Sequence, residues 1–432
     1  MSIGKRIKQH RKSIGLTQED LAGPNLSTAM ISLIERDMTN PSLKSLEYIA
    51  KKLNISVNYL LDEDKNEMTY SEYAQNTISL LKGLLNSEKF EEAEKVFSNI
   101  DENKIEYTYK GTLLKLKGEL FLEKKMYQQA IDEFKMALIY FTPYDIEEYV
   151  GVYCKISTCY KLLDKYQFSI ENALYGLILL KSNYSDNYPL LKLTLFFNLS
   201  FSYCRISEFS KGLEVLNEAL DLINKSKFSY NEGLFYMLKG LSHLYLKEYD
   251  EGIKANNKAI SILDQENDKQ YLIGSLTNLG IIYRELQNYQ LSIENIKKSL
   301  NLSKENNLEW HELNSYYELA TSYVLNNNLE IAEEICKKQI GNSNILDPLK
   351  IKMLLLLAYI KFRLKLYEES LNYANDAEVQ ILGINDNLLL AKTYTLKSKI
   401  LSAQGFINEA YELLNQAVQI YKNESHDGPN FI

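Results

Sequence analysis

The residues able to ligate a metal or attack a substrate are few and poorly spaced for either task. Four cysteines, Cys154, Cys159, Cys204 and Cys336, form no CxxC pair and have no histidine at zinc spacing. The four histidines, His10, His243, His311 and His426, are far apart, and no P-loop, HExxH or G-x-S-x-G motif is present. The thiols are expected to be buried small residues in a reducing compartment, and no catalytic residue, metal or cofactor is expected. Charge offers a different chemistry. Residues 1–61 hold nine basic side chains (Lys5, Arg6, Lys8, Arg11, Lys12, Arg36, Lys44, Lys51, Lys52) against five acids (Glu19, Asp20, Glu35, Asp37, Glu47), a net +4. The whole chain carries 49 Lys and Arg against 57 Asp and Glu, a formal −8, so the remainder carries −12. A small basic head on a long acidic body points the head at a polyanion and the body away from one.

The elements that hold these charges are expected to be helices. With 45% hydrophobic and 25% charged residues the 432-residue chain has an ordinary core-forming composition, and only 6 Pro and 18 Gly argue against a turn-rich sandwich or barrel. The 33 Tyr against 15 Phe and 1 Trp suit surfaces and grooves where one end of each ring stays wet. Met1 to Lys12 is basic and polar rather than a secretory signal, and the longest apolar run, Met353 to Ile360, is far short of the ~20 residues a bilayer crossing needs. A cytoplasmic protein with no membrane contact is expected. Asp62 to Glu67 is charged and lacks apolar periodicity, so residues 62–70 read as a linker between a head (1–61) and a body (71–422), with 423–432 as a loose tail.

In the head, helix signals come in five bursts. Ile3, Ile7 and Ile14 mark a first apolar face, and Thr17-Gln18-Glu19-Asp20 offers an N-cap with an acid at N3. Gly23-Pro24-Asn25 breaks that short helix; Ser27, Asn40-Pro41-Ser42 and Ser56 open the third, fourth and fifth. The segments Leu16 to Ala22, Ile31 to Arg36 and Asn40-Pro41-Ser42 resemble the Cro/phage-repressor (XRE) class of DNA-binding domains. The resemblance implies a helix-turn-helix over residues 17–36 whose helix from Ser27 enters the major groove of double-stranded DNA. It places Gln18, Asn40 and Lys44 at phosphates, Thr28, Ala29 and Ser32 at base edges, and Ser27 and Arg36 at the two ends of the reading helix. No Arg, Asn or Gln lies in the middle of that helix, and Leu33 stands where the family often has a long polar side chain, so shape readout or a partner subunit gains weight. Arg11 and Glu35 are expected to form an internal salt bridge.

Beyond Tyr70 one pattern recurs, clearest in Gly118, Phe121, Tyr127, Ala130, Phe134 and Ala137. Its central small residue falls at Ala93, Ala130, Ser169, Gly212, Gly252, Ser292, Ala332, Ser370 and Ala410, in steps of 37, 39, 43, 40, 40, 40, 38 and 40. This resembles the tetratricopeptide repeat, which implies an all-α right-handed solenoid of about nine hairpins with the first helix of each lining a concave face. His243, Met237 and Cys204 then read as packing. The groove positions of such repeats give Lys155, Thr158, Asn198, Phe201, Asn278, Thr321 and Tyr359, with Arg205 for a carboxylate and Phe201, Tyr317 and Tyr359 as apolar walls. Asn198 and Asn278 are the pair expected to clamp an extended peptide, each amide offering a donor and an acceptor.

Head and body together look like the RRNPP family of peptide-responsive Gram-positive regulators. That resemblance implies a homo-oligomer, expected to be a dimer, on an inverted-repeat DNA site, controlled by a short quorum-sensing peptide in the groove; peptide bridging Asn198 and Asn278 is expected to tighten the solenoid's curvature and reset the spacing of the two heads. The alternative is a repeat-mediated interaction protein that binds a response regulator through its early repeats, around Tyr70 to Glu133.

Overall fold

The computed structural model describes residues 2–24, 26–53, 55, 57–61, 70–142, 145–182, 188–226, 230–341 and 348–423. The expected cap Ser56, most of the expected linker and the tail beyond Asn423 lie outside them. The chain divides into two compact units, Met1–Leu120 and Phe121–Ile432.

The first unit begins with α1 (Ile3–Ser13), α2 (Gln18–Leu21), α3 (Thr28–Glu35), α4 (Leu43–Leu53) and α5 (Val57–Leu61). Their inward residues, Ile7, Leu21, Ile31, Ile34, Leu46, Ile49, Leu53 and Leu60 among them, make one buried core. Local chemistry sets the boundaries. Thr17 Oγ1 accepts from Asp20 N while the Asp20 carboxylate takes Thr17 N at 2.7 Å, a reciprocal capping box that starts α2. Ser27 Oγ accepts from Met30 N and starts α3. Gly4 lets α1 lie against the end of α3, because a Cβ there would come within 1.9 Å of the Ile34 carbonyl oxygen.

The same unit holds α6 (Tyr70–Asn86) and α7 (Phe90–Ser98), a 3₁₀ turn (Glu102–Lys104), and most of α8 (Tyr107–Glu123). Helix α6 begins at Tyr70, the last residue of the expected linker. The second unit continues with α9 (Tyr127–Leu138), then the hairpins α10 (Ile146–Leu162) with α11 (Tyr166–Ser182), α12 (Pro189–Arg205) with α13 (Phe209–Ser226), and α14 (Glu232–Tyr245) with α15 (Tyr249–Gln265). They are followed by α16 (Lys269–Glu285) with α17 (Tyr289–Glu305), α18 (Glu309–Leu325) with α19 (Leu329–Ile340), α20 (Pro348–Arg363) with α21 (Tyr367–Ile384), and α22 (Asn387–Gln404) with α23 (Ile407–Asn423).

One turn joins the two helices of every hairpin. Glu88, Lys125, Asp164, Ser207, Lys247, Gln287, Asn327, Lys365 and Gly405 all have positive φ, and they recur at the spacing of the small residues. In each turn the following N–H closes a six-residue ring onto the first helix, as Glu248 N does to His243 O at 2.8 Å and Asn288 N to Tyr283 O at 2.8 Å. Twelve residues separate the small residue of the first helix from that of the second. There the helices nearly touch: a Cβ on Gly280 would sit 2.5 Å from Ile296, and where serine stands its hydroxyl bonds across, Ser157 Oγ to Ser169 O at 2.9 Å and Ser398 Oγ to Ala410 O at 2.7 Å.

In the second unit the first helices of successive hairpins touch one another directly, α10 with α12 and so on to α22, whereas among the described residues the second helices make no such contact. Packing closer along one side curves the stack, so α10, α12, α14, α16, α18, α20 and α22 form its inner face.

Candidate functional site

In the head, a buried ion pair fixes the helix-turn-helix. Arg11 Nε and Nη2 reach Glu35 Oε1 and Oε2 at 2.6 and 3.0 Å, and Arg11 Nη1 donates to Leu16 O at 2.6 Å. Burial alone would raise the Glu35 carboxyl, but hydrogen bonds from Arg11 and Gln18 hold it below the ordinary glutamate range. Gln18 Nε2 donates to Glu35 Oε2 at 2.7 Å, so the amide expected at a phosphate is committed to orienting Glu35. Ile31, Ile34 and Glu35 turn inward, which leaves Ala29, Met30, Leu33 and Arg36 exposed and Thr28 and Ser32 half-buried on the outer side of α3. Arg36, Asn40 and Lys44 are exposed as well, and no described residue pairs with their side chains. Ser27, also exposed, serves as the α3 cap.

The inner face of the body carries the expected ligand residues, with two corrections. Asn198 is 1% exposed, and its Nδ2 donates to Thr158 Oγ1 at 2.9 Å and to Cys154 O at 3.4 Å. It ties α12 to α10 and is not an open groove amide. Thr321 is buried too, its hydroxyl bonded back to Tyr317 O at 2.9 Å. Asn278 is half-buried and its side chain makes no hydrogen bond among the described residues. Lys155, Thr158, Phe201, Tyr317 and Tyr359 are half-buried, and the Tyr317 phenol is pushed up to about 12 by burial.

Beside the expected Arg205, sequence reasoning missed Lys161, Tyr245 and Arg284, which with it form a second row four or five places after the first small residue of the hairpins that begin with α10, α12, α14 and α16. Lys161 lies over the rings of Phe197 (4.5 Å) and Phe201 (5.5 Å) with no carboxylate partner among the described residues, and burial pulls its ammonium down to about 8. Arg205 donates from Nε to the Tyr166 hydroxyl at 2.8 Å and packs over that ring at 5.3 Å. Tyr245 stacks on Phe209 at 4.4 Å. Arg284 Nη1 meets Glu318 Oε2 at 2.6 Å, both side chains about nine-tenths buried; burial opposes its charge, yet Glu318 holds the guanidinium above its ordinary value. For Lys161 and Arg284 the spacing of four from the small residues Ser157 and Gly280, one helical turn on the same face, is a signal that could have found them.

The other reactive groups are packed away. All four cysteines are buried and outside any disulfide, and desolvation pushes Cys159 and Cys336 up to about 12, which suppresses the nucleophilic thiolate. His243 is buried with Nδ1 2.6 Å from Glu248 Oε2, and Met237 and Cys204 lie in the apolar cluster of α12 to α14. Among the described residues no group of three His, Cys, Asp or Glu side chains could hold a metal, and no helix is long and apolar enough to cross a membrane.

Comparison with known proteins follows the same division. The helix-turn-helix family matches residues 7–60, and the tetratricopeptide repeat matches residues 273–306. The immunity repressor protein of Bacillus phage phi105 is 46% identical over 65 residues, 15% of this chain and 45% of that protein. The HTH-type transcriptional regulator SinR of Bacillus subtilis is 44% identical over 70 residues, 16% of this chain and 62% of that one. The chain thus spans about half the length of the curated relatives it matches, and the likeness is confined to the head. The apo form of the quorum sensor NprR from B. thuringiensis superposes with a TM-score of 0.63 at 17% identity, covering 81% of this chain and 99% of that one. NprR in complex with its cognate peptide NprX gives 0.53 at 16%, covering 81% and 98%. At such identity the likeness is one of fold. The chain therefore joins a helix-turn-helix head to a body that carries the tetratricopeptide repeat, in a fold similar to that of NprR.

Proposed function

We propose that the protein is a DNA-binding transcriptional regulator whose repeat domain takes a short peptide on its inner face. The observation that carries the DNA reading is the outer side of α3 and its flank, where Arg36, Asn40 and Lys44 stand exposed and unpaired beside an otherwise small and apolar surface. The two cations, Arg36 and Lys44, would neutralise phosphates and the Asn40 amide would hydrogen-bond one, setting register without reading sequence. A second copy of the chain would place two heads on half-sites about 34 Å apart. On the inner face Asn278 replaces the Asn198–Asn278 pair as the peptide-clamping amide, Lys161 and Arg205 suit a ligand carboxylate, and Phe201, Tyr317 and Tyr359 supply apolar wall. The similarity of fold to NprR, solved with its peptide, supports this assignment.

The test is fluorescence anisotropy of the full chain with a random-sequence 30-base-pair duplex pool across a salt series. Affinity should fall steeply with salt, and Arg36→Ala and Lys44→Ala should each lower the log–log slope by about 1. Salt-independent binding, or none at low salt, would remove the DNA reading.

A further inference from the structure

Helix α3 has an unusual surface for a reading helix. Met30 is 43% and Leu33 41% exposed, and Ala29 is open beside them, so three apolar side chains face water on neighbouring turns. The groups that discriminate purines in the major groove are forked: a guanidinium spans O6 and N7 of guanine, a carboxamide N6 and N7 of adenine. Between its ends α3 carries neither. Two such groups elsewhere in the head, those of Arg11 and Gln18, are both bound to Glu35. Arg36 stands at the C-terminal end of the helix, on the flank with Asn40 and Lys44. The one apolar group a base pair displays in the major groove is the C5-methyl of thymine.

We propose that α3 reads DNA through pyrimidine C5-methyl groups, with Ala29, Met30 and Leu33 packed on thymine methyls and Thr28 and Ser32 as permissive hydroxyl partners. This rests on the reading of the head as DNA-binding and names what that site recognises. DNA is the occupant that fits the surroundings, because the apolar patch is flanked by unpaired cations on a domain with a net +4 charge. A protein partner for the patch would leave those cations unmatched unless it were itself acidic.

The experiment starts from duplexes enriched by the full-length protein out of a random 20-base-pair library. The best duplex is resynthesised with deoxyuridine for thymidine, which removes only the methyl groups and keeps every Watson–Crick and groove hydrogen bond. Anisotropy at fixed salt should show a loss of tenfold or more for the uracil duplex. With Leu33→Ala the ratio between the two duplexes should shrink toward one, whereas Lys44→Ala should weaken both alike and keep the ratio. Equal affinity of the native protein for both duplexes overturns methyl readout and leaves DNA binding intact. An undiminished ratio in both Leu33→Ala and Met30→Ala assigns the effect to DNA stiffness and also overturns it. Failure to enrich any duplex overturns the DNA-binding reading itself.

Discussion

The head and the body treat the same residue types in opposite ways. In the head Asn40, Lys44 and Arg36 stand free in solvent around an exposed helix, and a polar cluster, Arg11, Gln18 and Glu35, holds that helix in place from behind. In the body the amide of Asn198 and the guanidinium of Arg284 bridge the first helices of successive hairpins, and the hydroxyls of Ser157 and Ser398 bridge the two helices of one hairpin. The difference teaches which polar residues recognise and which assemble. A polar side chain packed between repeat helices is a structural tie, because leaving it unbonded there costs about 1–3 kcal/mol; one left unpaired on a rigid helix is available to a ligand.

The largest effects should come from breaking the ties. Arg11→Met leaves Glu35 buried without its partner and should destabilise the head by roughly 3–5 kcal/mol. Amide exchange of α1 to α4 should accelerate while α10 to α22 stay protected; equal protection of α1 to α4 would show the pair to be ornamental. The pair also sets an acid limit. Glu35 has its carboxyl lowered in the fold, so its contribution is fully present above the ordinary glutamate value and is lost as pH falls through the lower folded value. Head unfolding monitored below about pH 4.5 should therefore shift to higher pH in Glu35→Gln. The counterpart in the body is Asn198→Ala, expected to cost about 1–2 kcal/mol through loss of the Thr158 bond, while Asn278→Ala leaves the melting temperature unchanged. Equal stability of the two variants would return Asn198 to the groove.

Lys161 sharpens the comparison from the other side. It is desolvated against Phe197 and Phe201 without a carboxylate, and its pKa falls to about 8. Below pH 8 it is charged in folded and unfolded chain alike and the full desolvation cost applies; above the ordinary lysine value the cost vanishes. Lys161→Met should thus stabilise the body at pH 7 by roughly 1–2 kcal/mol and show no gain above about pH 11. Urea unfolding at the two pH values decides it, and destabilisation at pH 7 would mean the ammonium has a partner.

Much of this was legible in the sequence because it is local. The capping residues Thr17 and Ser27 and the small residues at steps near 40 each act within one hairpin or one turn, so type and spacing suffice. The Arg11–Glu35 pair was expected from family resemblance alone. What escaped depends on the neighbouring hairpin. Asn198 stands where the resemblance to tetratricopeptide repeats expects a peptide clamp, and the approach of α10, with the Thr158 hydroxyl and Cys154 carbonyl 40 and 44 residues away, turns its amide inward. Arg284 meets Glu318 across 34 residues for the same reason. Gln18 fits a phosphate by position and Glu35 by geometry, and the burial of Glu35 decides between them without DNA.

The smallest effect concerns the turns that set the repeat. Eight of the nine interhelical turns place a side-chain-bearing residue at positive φ, and Gly405 alone has the residue type that adopts this region freely. A left-handed conformation costs an L-residue roughly 1 kcal/mol, partly offset because glycine loses more backbone freedom on folding. Lys247, at φ 60° and with its turn closed by the bond from Glu248 N to His243 O, tests the balance. Lys247→Gly should raise body stability by about 0.5 kcal/mol, read as a shift in the urea midpoint at constant slope. Gly405→Ala should lower it by a similar amount or more, since the alanine must enter at φ 92°. If Lys247→Gly instead destabilises, the lysine side chain contributes to the turn beyond its backbone, and this part of the body would join the head in having a side chain whose role lies outside the packing of helices.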